Sequence, residues 1–149
     1  MRRILLSILP LLILSACGSQ KPLCAAGTAE AVVASTEPAT QFGSILRSIV
    51  SRTSTIASAQ KRQSAGFDAK LTDAVNASVA RHQDAWINNM VSGWKKLESK
   101  DLQAACASIN KRDKDAFMQH AMKVGPDIQR LNEPLLRRAG AEVLAAVDQ

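Results

Sequence analysis

The sequence has few of the residues that build enzyme and metal sites. It has no tyrosine and only two histidines, His82 and His120, in 149 residues. There is no Gly-x-Ser-x-Gly nucleophile motif, no glycine-rich phosphate loop and no Cys-x-x-Cys-His haem motif. Met118 and His120 would point about 200° apart on a helix and could not share a copper ion, so we expect Met118 and Met122 to face the core. The sequence predicts no enzyme activity, no metal site and no cofactor.

The longest apolar run lies near the first residue and is too short to cross a membrane as a stable helix. Residues 4–14 are apolar except for one serine and one proline, whereas a spanning helix needs about 20 residues. Arg2 and Arg3 precede this run, and small residues follow it. This order of positive, apolar and small residues is typical of a secretory signal peptide. We therefore expect residues 1–16 to be a signal peptide.

The leader ends in Leu14-Ser15-Ala16-Cys17. This segment resembles the lipobox of bacterial lipoproteins, in which leucine, a small residue and alanine or glycine precede cysteine. The resemblance covers only the leader, and the mature domain is not recognised as a member of any family. It implies that the Cys17 thiol receives a diacylglycerol, that the leader is removed, and that the new amino group is acylated. An ordinary secretory signal with a chance cysteine is the alternative.

The residues after Cys17 indicate the membrane to which the lipoprotein would be sorted. In lipoproteins of this type an aspartate directly after the cysteine signals retention at the inner membrane, whereas Gly18 and Ser19 stand here. The resemblance therefore implies an outer-membrane lipoprotein that faces the periplasm. The partner of the protein would be the membrane, in which the acyl chains on Cys17 anchor it. Two or three chains hold a protein firmly, whereas one holds it only marginally.

The basic excess does not indicate nucleic acid as a partner. The chain has 19 Lys and Arg against 13 Asp and Glu, and loss of Arg2 and Arg3 leaves 17 against 13, an excess of +4. A basic balance often accompanies nucleic-acid binding, but the periplasm contains no nucleic acid. The positive residues are scattered over predicted polar helix faces, which favours simple solvation. Attraction to anionic lipid headgroups or to an acidic partner protein is the alternative.

Two cysteines remain once Cys17 carries lipid. Cys24 and Cys106 would lie in an oxidising compartment, where a disulfide can persist. A bond between them would stabilise the fold by about 4 to 5 kcal/mol on the chain-entropy model. The alternative is that Cys24 belongs to a flexible segment and that Cys106, which lies among alanines, is a small buried hydrophobic residue.

Apolar residues recur every three or four positions along most of the chain, and no segment alternates as a β-strand does. The predicted fold class is therefore all-α, a helical bundle. Two long helices joined by a short connection around Gly66 should pack antiparallel, and three shorter helices follow. The predicted helices cover residues 38–65, 68–98, 100–111, 113–131 and 134–148.

Local signals mark the ends of these elements. Asp113 is suited to cap the helix that follows it. Pro126 should bend or break that helix, because proline removes a backbone donor and clashes with the preceding turn. Residues 17–40 are rich in small residues and are predicted to be a flexible tether, with a short helical turn over residues 29–35 as an open alternative. Residues 41–149 are predicted to form one helical domain.

Trp86 and Trp94 lie on the apolar stripe of the second long helix. The favoured interpretation places both in the core as large apolar bodies. The alternative makes them exposed anchors for a partner, since aromatic residues are enriched at binding hot spots. His82 lies on the same stripe, and a hydrogen-bonded core histidine is favoured over a catalytic base.

These features predict a periplasmic lipoprotein tethered to the outer membrane that acts as a non-catalytic protein-interaction module. It would be an accessory subunit of an envelope complex, or an immunity or inhibitor protein. The alternative is a carrier or sensor that binds a small apolar ligand between the bundle helices. An open core around Met90, Trp94, Met118 and Met122 would favour that alternative.

The lipid anchor is tested by replacing the modified residue. The change Cys17→Ser removes the thiol that would carry the diacylglycerol, so the product should appear in the soluble fraction or remain as an uncleaved precursor. Cell fractionation and mass measurement of the purified chain provide the readout. A Ser variant that is cleaved as before and still fractionates with the envelope would contradict the lipoprotein interpretation.

Overall fold

The computed structural model describes residues 23–62 and 65–149. Six α-helices and no β-strand occur in these two ranges, which confirms the prediction of an all-α bundle. The predicted signal peptide, residues 1–16, and the predicted lipidation site, Cys17, lie outside the described residues. The helices are α1 (Ala29–Ala34), α2 (Pro38–Val50), α3 (Ser54–Arg62), α4 (Phe67–Trp94), α5 (Ser99–Lys111) and α6 (Lys114–Asp148).

The two longest helices, α4 and α6, form the frame of the bundle. The hydroxyl of Ser78 donates to the carbonyl of Ala139 at 3.3 Å near one end of the pair. Lys96 lies 2.7 Å from the Asp127 carboxylate near the other end. Residue numbers rise along α4 as they fall along α6, so the two helices are antiparallel. The other helices pack around this pair, and their apolar faces close a single core.

The first predicted long helix, residues 38–65, is wrong as one element. It is divided into α2 and α3 by residues 51–53. The Thr53 hydroxyl donates to the Val50 carbonyl at 2.8 Å and accepts from the Ile56 amide at 3.3 Å. Serine and threonine side chains compete with helical hydrogen bonds in this way, so Thr53 ends one helix and caps the next. The second predicted long helix, 68–98, is α4 and ends at Trp94.

The predicted helices 113–131 and 134–148 are one continuous helix, α6. Asp113 caps it as expected, because its carboxylate accepts from the Ala116 amide at 3.0 Å. Pro126 and Pro134 lie inside α6 without ending it. Both prolines are exposed, as are the residues four positions earlier, so the carbonyls that lose a helical partner face water. Burial of the apolar stripe of α6 outweighs the loss of these two hydrogen bonds.

The predicted flexible tether, residues 17–40, is wrong for the part that the structure describes, and the alternative of a short helical turn over residues 29–35 is confirmed by α1. Helix α1 is capped by the Thr28 side chain and buries Val32 and Val33 in the core. Cys24 is buried and bonded to Cys106 of α5, with the two Cα atoms 5.4 Å apart. The packed domain therefore includes Cys24 and does not begin at residue 41, because α1 packs against α4 and α5.

The side chain of Asn110 reinforces this attachment. It accepts from the Cys24 amide and donates to the Cys24 carbonyl, each at 2.9 Å. Both backbone groups of Cys24 are thus paired with α5 in addition to the disulfide. In the described ranges, none of the helices combines the length and the apolar character that crossing a membrane requires.

The disulfide predicts the thiol content of the chain. Denatured protein with Cys17→Ser from an oxidising compartment should show no alkylated cysteine before reduction and two after it, measured by mass. The change Cys106→Ser should lower the free energy of unfolding by about 4 to 5 kcal/mol, because it releases a long closed loop. Two labelled thiols without reductant would contradict the bond, and Ser108→Ala, on the same helix, controls for local repacking.

Candidate functional site

A cavity of about 480 Å³ lies between α2, α4 and α6. This volume is in the range of about 300 to 1,000 Å³ that is typical of small-ligand sites. Helix α2 and the turn before it contribute three lining residues, α4 contributes three, and α6 contributes the others. The α2 and α4 members are Thr36, Gln41, Ile45, Trp86, Met90 and Trp94.

The two tryptophans form one wall of this cavity. Trp86 is 4% exposed and stacks on Phe42 of α2, with ring centroids 4.9 Å apart. Trp94 is 2% exposed and stacks on Phe117 of α6 at 5.6 Å. Their predicted core position is confirmed, and the alternative of exposed anchors is wrong. Each ring of this wall therefore packs against an aromatic neighbour on another helix.

Helix α6 supplies the opposite wall through residues that recur every three or four positions. Ala121, Gly125 and Ile128 lie at the centre of this stripe. A Cβ added to Gly125 would meet no atom within 4 Å, so the missing side chain leaves open space. Small residues on α6 thus face large rings on α4, which explains why the interface does not close.

The methionines of α6 are placed differently from the prediction. Met118 and Met122 were expected to face the core, but they are 51% and 72% exposed. Met118 lines the cavity at its edge, whereas Met122 is turned to solvent. Met90 is the methionine that is buried, on the α4 side. Of the four residues around which an open core would favour the carrier or sensor alternative, Met90, Trp94 and Met118 line the cavity and Met122 does not.

Two smaller cavities share walls with the first. One of about 210 Å³ shares Gln129 and Leu136 and extends toward Arg137. The other, of about 330 Å³, shares Thr36 and Phe117 and extends past Arg112. The apolar cavity is thus flanked by two cavities that hold charged residues, Glu133 with Arg137 in one and Arg112 with Asp113 and Lys114 in the other.

Neither predicted histidine lines the cavity. His82 Nε2 lies 3.0 Å from Oε1 of Glu142, and Arg81 lies 2.9 Å from Oε2 of the same carboxylate. His82 is the hydrogen-bonded histidine that the sequence favoured. The hydrogen bond from His82, followed by the one from Arg81, lowers the pKa of Glu142 below its ordinary value. This cluster joins α4 to α6 on a face away from the cavity lining.

The other histidine, His120, also lies outside the cavity lining. His120 Nδ1 is 3.8 Å from the Asp101 carboxylate, too far for a hydrogen bond. Across residues 23–62 and 65–149, no group of three or more His, Cys, Asp or Glu side chains is arranged to hold a metal ion.

Comparison of the chain with protein-family models, with curated proteins and with solved structures found no match. The chemistry of the cavity is therefore the observation on which a function can be based. Its lining contains the four polar residues Thr36, Gln41, Gln129 and Asn132, no charged residue, and otherwise apolar side chains.

The Glu142 cluster predicts how stability depends on pH. Because the folded-state pKa of Glu142 lies below the ordinary value of 4.5, its carboxylate stabilises the fold above about pH 4.5. That stabilisation is lost as the pH falls through the folded-state pKa. The change Glu142→Gln should therefore lower the urea midpoint at pH 7 and have a smaller effect at pH 3.

A matched control is Glu98→Gln, since Glu98 is exposed and pairs only with Lys100. An exposed pair of this kind contributes little, so this variant should unfold like the parent at both pH values. An equal loss from Glu142→Gln at pH 7 and pH 3 would contradict the proposed role of the carboxylate.

Proposed function

We propose that this chain is a lipid-anchored, non-catalytic protein of the bacterial cell envelope that binds a small apolar ligand between its helices. The observation that carries the proposal is the cavity of about 480 Å³ walled by Trp86 and Trp94. The space is open to the surface beside Met118, so a small molecule can enter it, whereas a closed protein interior is filled by side chains. An aromatic and methionine-lined cavity with few polar groups is the usual form of a site for an apolar ligand.

The anchor is part of the same proposal. It rests on Leu14-Ser15-Ala16-Cys17, and the absence of aspartate at position 18 favours the outer membrane. Cys24 is bonded into the domain, and the chain from Cys17 to Cys24 can span at most about 25 Å. The Cys24 end of the domain would therefore stay close to the membrane surface.

The exposed methionines favour a protein-interaction module as the second candidate. Met118 and Met122 are neighbours on α6, and Met118 is at the edge of the cavity. Flexible methionine side chains are common on surfaces that adapt to a partner. In this case an apolar side chain of the partner, rather than a free molecule, would enter between α4 and α6.

Filling the cavity tests ligand binding directly. The change Gly125→Phe places a ring where a Cβ meets no atom within 4 Å. The probe is N-phenyl-1-naphthylamine, whose fluorescence rises in apolar sites, added to the full chain with Cys17→Ser. We expect saturable binding to the parent and at least a tenfold weaker affinity in the Phe variant.

Ala141→Phe is the matched control, because Ala141 is an exposed position on the same helix. It should bind the probe like the parent, and thermal unfolding should show that both Phe variants are folded. The small-ligand proposal fails if the parent does not bind the probe, or if Gly125→Phe binds it as tightly as the parent. Binding of a partner protein that is lost both in Gly125→Phe and in a Met118→Ser and Met122→Ser double variant, by a parent that does not bind the probe, would support the second candidate.

A further inference from the structure

We infer that the ligand of this cavity is an uncharged apolar molecule that carries a carbonyl-type hydrogen-bond acceptor. The acceptor would be recognised by two donors, the indole Nε1 of Trp86 and the amide Nδ2 of Asn132. This inference rests on the proposed function and adds the chemical class of the ligand. It requires that both donors belong to one site and are unpaired, and that the cavity disfavours charge.

The two donors lack partners although they are buried. Trp86 Nε1 and Asn132 Nδ2 make no hydrogen bond to the part of the chain that the structure describes, and Asn132 is only 1% exposed. Nearly all buried polar groups in folded proteins are paired, because leaving one unpaired is costly. Both residues line the same cavity, but each nitrogen has almost no exposed surface, so an acceptor reaches it only when neighbouring side chains move. Two unpaired donors beside one apolar cavity favour an acceptor on the bound ligand, whereas the other unpaired buried atom, His120 Nδ1, lies outside this lining.

The orientation of the Asn132 amide is fixed by its neighbour. Asn89 Nδ2 donates to Asn132 Oδ1 at 2.9 Å and to the Leu131 carbonyl at 3.1 Å. Turning the Asn132 amide would bring two NH₂ groups together, so its own NH₂ must point elsewhere. An indole N–H can only donate. The site therefore presents two donors and selects an acceptor.

The two donors are on facing helices. Trp86 lies three residues before Asn89 on α4, and residues at this spacing are neighbours on a helix surface. Asn89 in turn contacts Asn132 on α6. Asn89 thus connects the two donors across the α4–α6 interface. Met90, on α4, lines the same cavity, and its flexible side chain can move to let an acceptor reach the buried nitrogens.

The absence of charge from the lining determines the type of acceptor. Among the described residues, none that lines the cavity is Lys, Arg, Asp or Glu. A carboxylate would lose its hydration there without gaining a cation, which is strongly unfavourable. Arg112 and Arg137 line the adjoining cavities, and Arg137 is paired there with Glu133 at 2.6 Å. A ketone, ester or amide carbonyl accepts the two hydrogen bonds without that cost.

Three probes of similar shape test this inference. They are 2-acetylnaphthalene, 2-ethylnaphthalene and 2-naphthoate, titrated calorimetrically into the full chain with Cys17→Ser. We expect the ketone to bind at least tenfold more tightly than the hydrocarbon, and the anion to bind most weakly. Equal affinity for the ketone and the hydrocarbon would overturn the inference and leave the proposed function intact. Tighter binding of 2-naphthoate than of the ketone would overturn the uncharged character of the ligand.

Variants separate the donors from the shape of the cavity. Trp86→Phe removes the indole N–H and keeps an aromatic ring, so it should abolish most of the preference for the ketone and change hydrocarbon affinity little. Trp94→Phe alters the same wall without removing one of the buried unpaired donors. It should change the affinities for the ketone and the hydrocarbon by similar factors, so that their ratio stays as in the parent.

A second variant decides the result if Trp86→Phe is not folded. Asn132→Leu removes the other donor and should reduce the same preference. An undiminished preference for the ketone in a folded Trp86→Phe or Asn132→Leu protein would overturn the role of that donor. If no probe binds the parent and Gly125→Phe has no effect on N-phenyl-1-naphthylamine, both the inference and the proposed function are wrong.

Discussion

The close antiparallel contact between α4 and α6 is the constraint on which the other features depend. A Cβ on Gly93 would collide with the Ile128 side chain, so the missing side chain sets how near the two helices come at this level. Toward the other end, Ser78 reaches the backbone of Ala139. This contact fixes the relative register of the helices, and it thereby decides which residues face one another across the cavity.

Much of the architecture could be predicted because it is periodic. The apolar spacing along α4 and α5 is regular, and the Asp113 cap is a local signal. The predictions are wrong where a local sequence signal and the packing of the helices favour different structures. Pro126 was expected to break α6, but it lies on the solvent side of a helix held by packing. The interruption near Thr53 has the opposite origin, because a side-chain hydrogen bond prevails over a continuous apolar stripe.

The site was only partly accessible from the sequence. Trp86 and Trp94 were identified because large rings on an apolar stripe are conspicuous. The open space beside them depends on small residues of a distant helix, such as Gly125, which periodicity along one helix does not reveal. Asn132 was missed, although a signal existed: it is a lone amide among the apolar positions of α6, between Ile128 and Leu135. A buried amide of this kind is a candidate binding group, as a buried charged residue is.

The attachment of Cys24 has a mechanical consequence. Tension on the chain before Cys24 would enter the fold at Cys106, through a covalent bond to α5 and two hydrogen bonds from Asn110. Helix α1 follows this point and would carry none of that load. Helices α2 and α4 would feel it only after α5 had transmitted it through its packing. The segment between Cys24 and Cys106, which contains α2 and α4 of the cavity, could therefore not be drawn out by such tension while the disulfide is intact.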